Sequence, residues 1–150
     1  MRIVIQRVSK AQITIDNKEQ KPMGEGLVVL LGITPSDGIK DVNWLVNKVV
    51  NLRIFNDEYG VMNRSVKDIQ GALLVVSQFT LMASTKKGNR PSHLGAAKHD
   101  HAIPLYKSFL KMASSALEKK ILSGKFGADM QIELINDGPV TIIIDSKNKE

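Results

Sequence analysis

Hydroxyl and amide side chains of the kind used in nucleophilic catalysis follow one of the most apolar runs of the sequence. Ser77, Gln78 and Thr80 come directly after the run Leu-Leu-Val-Val at 73–76. A hydroxyl becomes a nucleophile when a neighbouring base takes its proton, and no Gly-x-Ser-x-Gly elbow surrounds Ser77. A Ser-His-Asp triad is defined by geometry, so the sequence leaves that hypothesis open but weak. What the pattern does predict is a set of polar groups where a core strand meets the surface.

A second polar segment separates two apolar strands near the end of the chain. Residues 136–141 read Asn-Asp-Gly-Pro-Val-Thr. This composition is common in ordinary turns. Pro139 cannot donate a backbone hydrogen bond, which places it at a sheet edge or a bulge. A cis bond before it would be a specific structural feature, and composition does not decide between that feature and a plain turn.

The three histidines of the chain lie close together in sequence and raise the possibility of a metal site. His93, His99 and His101 fall within nine residues, beside Asp100. A metal site needs a further ligand and groups that orient the ligands, and the sequence offers neither nearby. Cysteine is absent, which excludes disulfides, thiolate metal sites and cysteine nucleophiles. We therefore expect a solvated lead-in to a helix, with no metal and no cofactor.

A basic loop between 84 and 95 points towards a phosphate-bearing partner. Lys86, Lys87 and Arg90 lie in it with two glycines and a proline. Such a loop can follow a phosphate backbone, although an ordinary solvated loop has the same composition. The net charge of +6 favours a polyanion, whereas the aromatic content of 5% argues against a broad base-stacking surface. If RNA binds, we expect contacts to its backbone and one small pocket.

The elements that must position these groups can be predicted from the hydrophobic periodicity. Six strands alternate or run continuously apolar, and two segments have helical spacing. Asp37 is expected to cap the first helix. The predicted strands are 2–8, 11–16, 26–33, 72–81, 130–135 and 140–144, with helices from 37 to 52 and from 102 to 122 and a hairpin turn at 56–60. This order predicts an α/β or α+β class with a mixed sheet.

Length and composition bound the organisation of the protein. The 150 residues are 43% hydrophobic, which fits one domain over 1–150 with a frayed polar tail at 146–150. No apolar stretch approaches the roughly 18 residues of a membrane span, and Arg2 and Arg7 interrupt the N-terminus where a signal peptide would be apolar. The sequence therefore predicts a soluble, cytoplasmic protein that does not contact membranes.

Taken together, the two polar segments resemble the signature motifs of the D-aminoacyl-tRNA deacylase family. These motifs are Ser-Gln-Phe-Thr-Leu at 77–81 and Asn-x-Gly-Pro-x-Thr at 136–141. The resemblance covers about Met1 to Asp145. It continues, in family order, through Val-Ile-Gln-Arg-Val at 4–8, Asn-Leu-Arg-Ile-Phe at 51–55, Lys-Gly-Asn-Arg-Pro-Ser at 87–92 and Phe-Gly-Ala-Asp-Met at 126–130.

The sequence departs from the family pattern in the loop before the second helix. His93 stands where the pattern leads us to expect an aromatic residue, and 98–101 read Lys-His-Asp-His where a proline is frequent. The variants of both signature motifs that mark the related animal deacylase, which tolerates L-amino acids, are absent. The departures concern the tRNA-facing surface.

The resemblance implies an α/β, three-layer fold with a barrel-like double β-sheet and two main helices, assembled as a homodimer. It implies an editing hydrolase that cleaves the ester of D-aminoacyl-tRNA, and of glycine mischarged on tRNA, without a cofactor. The dipeptide Gly138-Pro139 is expected to be cis, to be held by Arg7 and to reach the partner's pocket, where it excludes L-amino acids. The expected partners are aminoacyl-tRNA and a second copy of the chain, and not DNA.

The resemblance also assigns roles to single residues. Ser77, Gln78, Phe79 and Thr80 form the expected catalytic group. Thr80 is the side-chain candidate for a nucleophile; in the alternative that we favour, the 2′-hydroxyl of the tRNA activates or positions the water, and Phe79 contributes its backbone N–H. Substrate binding is assigned to Gln6, Asn136, Thr141 and Met130. Binding of the tRNA backbone by Lys86, Lys87 and Arg90 is the expectation from the basic loop itself.

Two other functional classes compete with this assignment. A basic tRNA-binding module without catalysis would bind tRNA whatever amino acid is attached to it. A serine or threonine esterase would hydrolyse small aminoacyl esters that lack RNA and would depend acutely on Thr80.

Overall fold

A long first strand organises the molecule, whose computed structural model describes residues 1–149. In chain order, residues 1–149 form eight strands and two α-helices, and one 3₁₀ helix comes after the sixth strand. They are β1 (Arg2–Ile15), β2 (Glu19–Met23), β3 (Gly26–Gly32), α1 (Ile39–Asn51), β4 (Phe55–Asn56), β5 (Met62–Arg64), β6 (Ala72–Ser77), the 3₁₀ helix (Phe79–Met82), α2 (His99–Leu117), β7 (Leu122–Ser123) and β8 (Met130–Asp145).

The main sheet folds around β1, which has three partners. Along one edge, the first half of β1 pairs with β3 and the second half with β2, both antiparallel. Along the other edge, β8 pairs antiparallel from Arg2 to Ile15. Beyond β3, the strands β6 and β7 continue the sheet in parallel. The result is a mixed α/β fold with two helices and a nearly closed, barrel-like sheet, which confirms the predicted fold class.

Two hydrophobic cores lie on the two sides of this sheet. Ile3 and Ile5 of β1 pack with β3, β6 and both helices in the first core. Ile13 and Ile15, further along β1, belong to the second core, together with Val28 and the partly buried start of β8. The register between β1 and β8 shifts twice between positions 6 and 10, where β1 passes from one core to the other.

Several predicted boundaries differ from the observed ones. The strands predicted at 2–8 and 11–16 are one strand, and so are those predicted at 130–135 and 140–144. The strand predicted to reach Leu81 ends at Ser77. The helix predicted from 102 to 122 is α2, which begins three residues earlier and ends at Leu117, since Leu122 pairs with β6 in β7.

The predicted cap of the first helix is wrong by one residue. Gly38 occupies the N-cap of α1, and its backbone N–H donates to Asp41 Oδ2 over 2.9 Å. Asp37, the predicted cap, instead binds the chain's own α-amino group. A carboxylate that pairs with a buried cation is no longer available to cap a helix.

The expectation of a frayed tail is wrong for residues 146–149, while Glu150 lies outside the described residues. Ser146 is buried, donates its N–H to the Met1 carbonyl over 2.8 Å and donates its hydroxyl to Asp41 over 2.7 Å. Lys147 pairs with Asp41 over 2.9 Å, and the Lys149 ammonium lies 4.8 Å from the centre of the Trp44 ring. Burial acts to raise the pKa of Asp41, but the hydrogen bonds from Ser146 and Lys147 hold it well below its usual range.

Within residues 1–149, the structure contains no helix that is both long enough and apolar enough to cross a membrane.

Candidate active site

A cavity of about 750 Å³ opens where the parallel strands β3 and β6 end. Gln78 donates its backbone N–H to the Leu31 carbonyl over 2.8 Å, which directs the chain out of β6 beside the end of β3. The walls come from these strand ends, the loop before α2, the start of α2 and the approach to β8. The lining residues are Leu31, Ile33, Val76, Ser77, Gln78, Phe79, His93, Ala96, Ala97, Lys98, His99, Ala102, Phe126, Gly127, Ala128, Asp129, Met130 and Ile132.

The residues predicted to be catalytic lie at or next to this cavity. Ser77, Gln78 and Phe79 line it, whereas Thr80 follows them and is exposed. In the described residues 1–149, the only hydrogen bond of the Thr80 hydroxyl comes from the Gln78 amide, over 2.5 Å. Among these residues, no histidine or carboxylate is hydrogen-bonded to the Thr80 hydroxyl, so none is in position to act as its base.

Backbone N–H groups next to the cavity are the other groups that could take part in catalysis. Phe79 and Thr80 open the 3₁₀ helix, and the first N–H groups of a helix have no acceptor within it. Such N–H groups can stabilise an oxyanion that forms in front of them. Phe79 beside them is 56% exposed, which leaves part of its surface able to contact a bound molecule.

Strand β6, which ends at Ser77, is fixed by a hydrogen bond from the buried side chain of Tyr106. The Tyr106 hydroxyl donates to the Val75 carbonyl over 2.9 Å, two residues before Ser77. Burial raises the pKa of Tyr106 to about 12, so the phenol stays protonated and remains a donor at neutral pH. The contact fixes the end of β6 against α2.

The histidines do not converge on one point, although two of them line the cavity. The His93 ring meets the Phe79 ring edge-on, with 5.0 Å between centres, and His99 meets Phe126 in the same way at 5.3 Å. His101 bonds the Asp37 carbonyl through Nε2 over 3.0 Å. Across residues 1–149, no group of three or more His, Asp or Glu side chains is arranged for a metal ion. The prediction of a solvated lead-in missed the contribution of His93 and His99 to the cavity.

A second constellation is built around the segment 136–141, here called the cis-proline loop. The ladder between β1 and β8 pairs Gln6 with Thr141 and Val8 with Asn136, so the residues between them bulge out of it. The Gly138-Pro139 peptide bond is cis, as expected from the resemblance. The loop therefore presents a dipeptide whose backbone takes no part in the strand pairing.

Arg7 ties the cis-proline loop to the body of the protein. Its guanidinium is buried and donates to the Ile54 carbonyl over 2.6 Å and to the Asp137 carbonyl over 3.3 Å. It also pairs with the Asp137 carboxylate over 3.0 Å. The contacts with Asp137 use Nε and the contact with Ile54 uses Nη1, so the guanidinium reaches its two partners with separate nitrogens, whereas an ammonium group has only one.

Asn136 closes the loop from the other side. Its amide donates to the carbonyls of Arg7 and Val140, each over 3.1 Å, and its oxygen accepts a hydrogen bond from Thr141 over 3.4 Å. Gly138 has a φ of +115°, and a Cβ there would lie 2.8 Å from Arg7 Nη2. Both the backbone angle and the lack of space restrict this position to glycine.

Within one chain, the predicted site residues therefore fall into two groups. Ser77, Gln78, Phe79 and Met130 line the cavity. The predicted selectivity residues Arg7, Gly138 and Pro139 do not line it, and neither do the predicted substrate-binding residues, which are Gln6, Asn136 and Thr141. Asn136 and Thr141 belong to the hydrogen bonds that hold the cis-proline loop.

The basic loop forms a separate, exposed feature. Ser84 and Ser92 exchange two backbone hydrogen bonds of 2.9 Å. Lys86, Lys87 and Arg90 between them are exposed, and within residues 1–149 none of the three makes an ion pair. Their charges therefore remain available to a partner.

Sequence reasoning from the residues missed one wall of the cavity. Phe126 contacts the rings of His99 and Tyr106, and Gly127, Ala128 and Ile132 continue the wall. The only signal was the family string at 126–130, since a short loop with glycines looks like any turn.

Comparison with known proteins identifies relatives along almost the whole chain. The family model described as D-Tyr-tRNA(Tyr) deacylase matches residues 4–145. A D-aminoacyl-tRNA deacylase of Flavobacterium psychrophilum is 60% identical over 150 residues, and one of Bacteroides thetaiotaomicron is 58% identical, each alignment covering 100% of both chains.

Solved structures share the fold. The c-Myc DNA unwinding element binding protein superposes with a TM-score of 0.89 at 43% identity, covering 97% of this chain and 98% of that one. A probable eukaryotic D-amino acid tRNA deacylase superposes with a TM-score of 0.83 over 95% of this chain and 97% of the other. At 18% identity, the second likeness concerns the fold alone.

Proposed function

Since the chain belongs to the D-Tyr-tRNA(Tyr) deacylase family, a family of hydrolases, we propose that it edits aminoacyl-tRNA by hydrolysing the ester of a D-amino acid. The products are the free D-amino acid and tRNA, and glycine attached to the wrong tRNA is a further substrate. The observation that carries the proposal is the cis-proline loop, in which Arg7 and Asn136 fix a dipeptide that the strand pairing leaves out.

The proposed chemistry uses the backbone and the RNA rather than a side-chain nucleophile. Water adds to the ester carbon, the N–H groups of Phe79 and Thr80 stabilise the oxyanion, and the bond to the ribose oxygen breaks as that oxygen takes a proton. Thr80 has only the Gln78 amide as partner, which argues against a threonine nucleophile. The 2′-hydroxyl of the terminal ribose then activates or positions the water.

Selectivity in this proposal comes from crowding by rigid backbone. Carbonyl groups of Gly138 and Pro139 occupy the space that an L side chain would need, and they make no demand on the side chain of a D-amino acid. Such selection requires that the loop does not move when an L-amino acid contacts it. The contacts of Arg7 with Ile54 and Asp137 supply that rigidity.

The proposed assembly is a homodimer in which each chain completes the site of the other. In support, the cavity is lined without any contribution from Arg7, Gly138 or Pro139 of the same chain. A two-fold interface places the same two features of both chains in contact twice, so one dimer holds two complete sites. Ile135 and Ile143 of β8, which are 51% and 67% exposed, fit a contact surface on this strand.

The proposed RNA path runs over the basic loop, in a cytoplasmic protein. Lys86, Lys87 and Arg90 are exposed, and the loop that carries them ends at Ser92, directly before His93 of the Phe79–His93 ring pair. These side chains would contact phosphate groups, which are the same at every nucleotide, so they would not distinguish one tRNA sequence from another. The c-Myc-related structure is named for binding a DNA element, so DNA is the informative competitor, and we expect it to bind more weakly than tRNA.

The test is hydrolysis of matched D-, L- and glycyl-tRNA by the purified protein with a chelator present. We expect release from the D and glycyl forms only. Binding of all three without release would support the tRNA-binding module instead. Rapid turnover of small aminoacyl esters that lack RNA would support a threonine or serine esterase.

Mixing two inactive variants tests the dimer. Gly138→Ala damages the loop, and Ala96→Trp fills the cavity. If sites form across the dimer, equilibrated mixing restores activity to about one quarter of wild type, because half of the dimers are mixed and each has one intact site. If each chain holds its own complete site, mixing restores nothing.

A further inference from the structure

None of the four residues of the 3₁₀ helix Phe79–Met82 is buried, although Phe79 lines the cavity. Ser77 and Gln78 precede this helix and line the cavity as well. A segment with few buried contacts opens easily, so its position depends on the hydrogen bonds that hold it. The bonds to residues 77–82, here called the active-site turn, therefore decide where the proposed catalytic groups lie.

The active-site turn lies directly against the end of β3. A Cβ at Gly32 would lie 3.1 Å from the Gln78 carbonyl oxygen, 3.0 Å from Leu81 Cβ and 2.8 Å from Met82 Cε. Glycine permits this approach because it has no side chain. The entry of the turn is bonded to β3 as well, through the Gln78 N–H and the Leu31 carbonyl.

Arg2 holds the other end of the active-site turn. Its Nη1 donates to the Leu81 carbonyl oxygen over 3.0 Å. The last carbonyls of a helix have no partner within it, and a cation beside them is favourable. Arg2 Nε donates to Asp145 Oδ2 over 3.0 Å, and Nη2 lies 3.0 Å from the same oxygen. The guanidinium therefore joins the turn to the end of β8.

Asp145 is the last residue of β8 and faces Arg2 in the ladder between β1 and β8. Burial acts to raise the pKa of Asp145, but hydrogen bonds from the Lys147 N–H and from Arg2 hold this pKa below its usual value. The Arg2 side chain is 42% exposed. Because an ion pair of this exposure contributes little to stability, the main effect of the pair is to orient the guanidinium towards Leu81.

We propose that Arg2 is a positioning residue for ester hydrolysis, which fixes the active-site turn through the Leu81 carbonyl, and that Asp145 orients it. Arg2 does not line the cavity, so it acts through the turn and not on the substrate. The inference rests on the proposed function, because the turn carries the residues that we assign to catalysis. A misplacement of about 1 Å can slow a reaction about 100-fold, so a loose turn would be costly.

The first experiment measures single-turnover hydrolysis of D-aminoacyl-tRNA by Arg2→Met over a range of enzyme concentrations. We expect the maximal rate to fall about tenfold, the effect of one charged hydrogen bond, while the concentration for half-maximal rate stays within about twofold. An unchanged maximal rate would overturn the proposal.

Lys119→Met is the matched control for a general loss of stability. The exposed Lys119 donates to the carbonyls of Gln70 and Gly71 over 2.7 and 2.8 Å, next to the start of β6 and away from Ser77 at its end. Its loss also removes a cation from backbone carbonyls, but the maximal rate should stay within about twofold of wild type. Equal losses of rate in Lys119→Met and Arg2→Met would overturn the proposal.

Arg2→Lys distinguishes positioning from a direct contact with an RNA phosphate. A lysine can serve as a point charge for phosphate, but its single nitrogen cannot replace the three nitrogens with which Arg2 contacts Leu81 and Asp145. We therefore expect Arg2→Lys to be nearly as slow as Arg2→Met at saturation. Full activity in Arg2→Lys, with weakened tRNA binding in Arg2→Met, would make Arg2 a phosphate contact and overturn the proposal.

Asp145→Asn tests whether the carboxylate acts through Arg2. In the wild-type background we expect a maximal rate about threefold lower, because the guanidinium keeps a donor for Leu81 but loses its orientation. In the Arg2→Met background the same change should lower the rate no further. Equal losses in both backgrounds would overturn the role of Asp145.

Amide hydrogen exchange, read by NMR without tRNA, tests the inference separately from the proposed function. The Leu81 N–H donates to the Gln78 carbonyl over 3.2 Å and the Ala83 N–H to the Thr80 carbonyl over 3.0 Å. Both should exchange at least about fivefold faster in Arg2→Met, while residues 74–76 of β6 stay unchanged. Unchanged exchange would overturn the inference, whereas a wild type that hydrolyses no aminoacyl-tRNA would overturn the proposed function.

Discussion

Two loops of the protein each contain a glycine with nearly the same backbone angle φ. The atoms that surround the glycine differ between the two loops. Gly138 in the cis-proline loop has a φ of +115°, and Gly88 in the basic loop has a φ of +113°. A Cβ at Gly138 would meet Arg7 and Val140 within 3.0 Å, whereas a Cβ at Gly88 would meet nothing within 4 Å. The same backbone conformation is therefore tightly surrounded by other atoms at Gly138 and open to solvent space at Gly88.

The difference follows from what each loop is proposed to do. A loop that selects by shape must hold its atoms in place, and the buried Arg7 and the hydrogen-bonded Asn136 do this for the cis-proline loop. A loop that attracts phosphates acts through the electrostatic attraction of its charges, and this attraction changes little when the loop moves by a small distance. Two backbone hydrogen bonds between Ser84 and Ser92 are sufficient for it.

The largest effect is expected when a methyl group is added at each glycine in turn. Gly138→Ala pushes against the Arg7 guanidinium and displaces the dipeptide, and a misplacement of about 1 Å can slow a reaction about 100-fold. We expect this loss in single-turnover hydrolysis of D-aminoacyl-tRNA. Gly88→Ala, the matched control, has an equally strained angle but room to relax, and should stay within about threefold of wild type. Equal losses in both variants would remove the distinction between the loops.

The next effect concerns the anchor of the cis-proline loop. Arg7→Lys keeps the charge but cannot contact Ile54 and Asp137 together, and the loss of about 1.5 kcal/mol of charged hydrogen bonding corresponds to about a tenfold lower rate. We also expect measurable hydrolysis of L-aminoacyl-tRNA, because a loosened loop excludes less. Arg53→Lys, at an exposed arginine that donates to the Asn63 carbonyl, is the control. Unchanged chiral selectivity in Arg7→Lys would show that the anchor is dispensable.

A smaller and different effect is expected in the basic loop. Replacing Lys86, Lys87 and Arg90 together by alanine should reduce the slope of log affinity against log salt by about 2, since each phosphate contact on a single strand contributes about 0.7. The ratio of D to L hydrolysis should not change. Binding is read by filter retention across a salt series, and an unaltered slope would place the RNA path elsewhere on the surface.

The smallest effect is expected at Thr80, which lies beside the cavity but in neither loop. Thr80→Ala removes one exposed hydrogen bond to Gln78, worth about 1 kcal/mol or less, so single-turnover hydrolysis should fall less than about fivefold. Thr80→Ser, which keeps a hydroxyl, serves as the control. A fall to background in Thr80→Ala with the fold intact and activity in Thr80→Ser would make the hydroxyl the nucleophile.

The sequence predicted the elements whose residues are buried on a regular pattern. The continuous apolar run of β3 was recognisable because both faces of the strand are covered. By contrast, β2 reads Glu-Gln-Lys-Pro-Met, which has no apolar pattern, and it is a strand only because the second half of β1 pairs with it. The first turn of α2 begins with His99 and Asp100, whose polarity hid it from a search for apolar spacing.

The candidate site was predictable where a motif coincided with the cavity, at Ser77 to Phe79 and at Met130. Its remaining parts depend on contacts between distant segments. His93 lies in the cavity through its contact with Phe79, and Asp37 is withdrawn from helix capping by the amine of Met1. A local pattern cannot show which of two remote partners a polar side chain will take.

The pairing of β1 with β8 also sets the order in which the protein can become complete. Ile3 pairs with Ile144 and Ile15 with Met130, so β1 cannot complete its pairing until β8, more than a hundred residues later in the chain, has been made. The cis-proline loop lies between the two halves of β8 and receives its contacts with Arg7 only when that last strand arrives. A chain without β8 therefore lacks the fixed cis-proline loop, and with it the dipeptide that we propose to act as the filter.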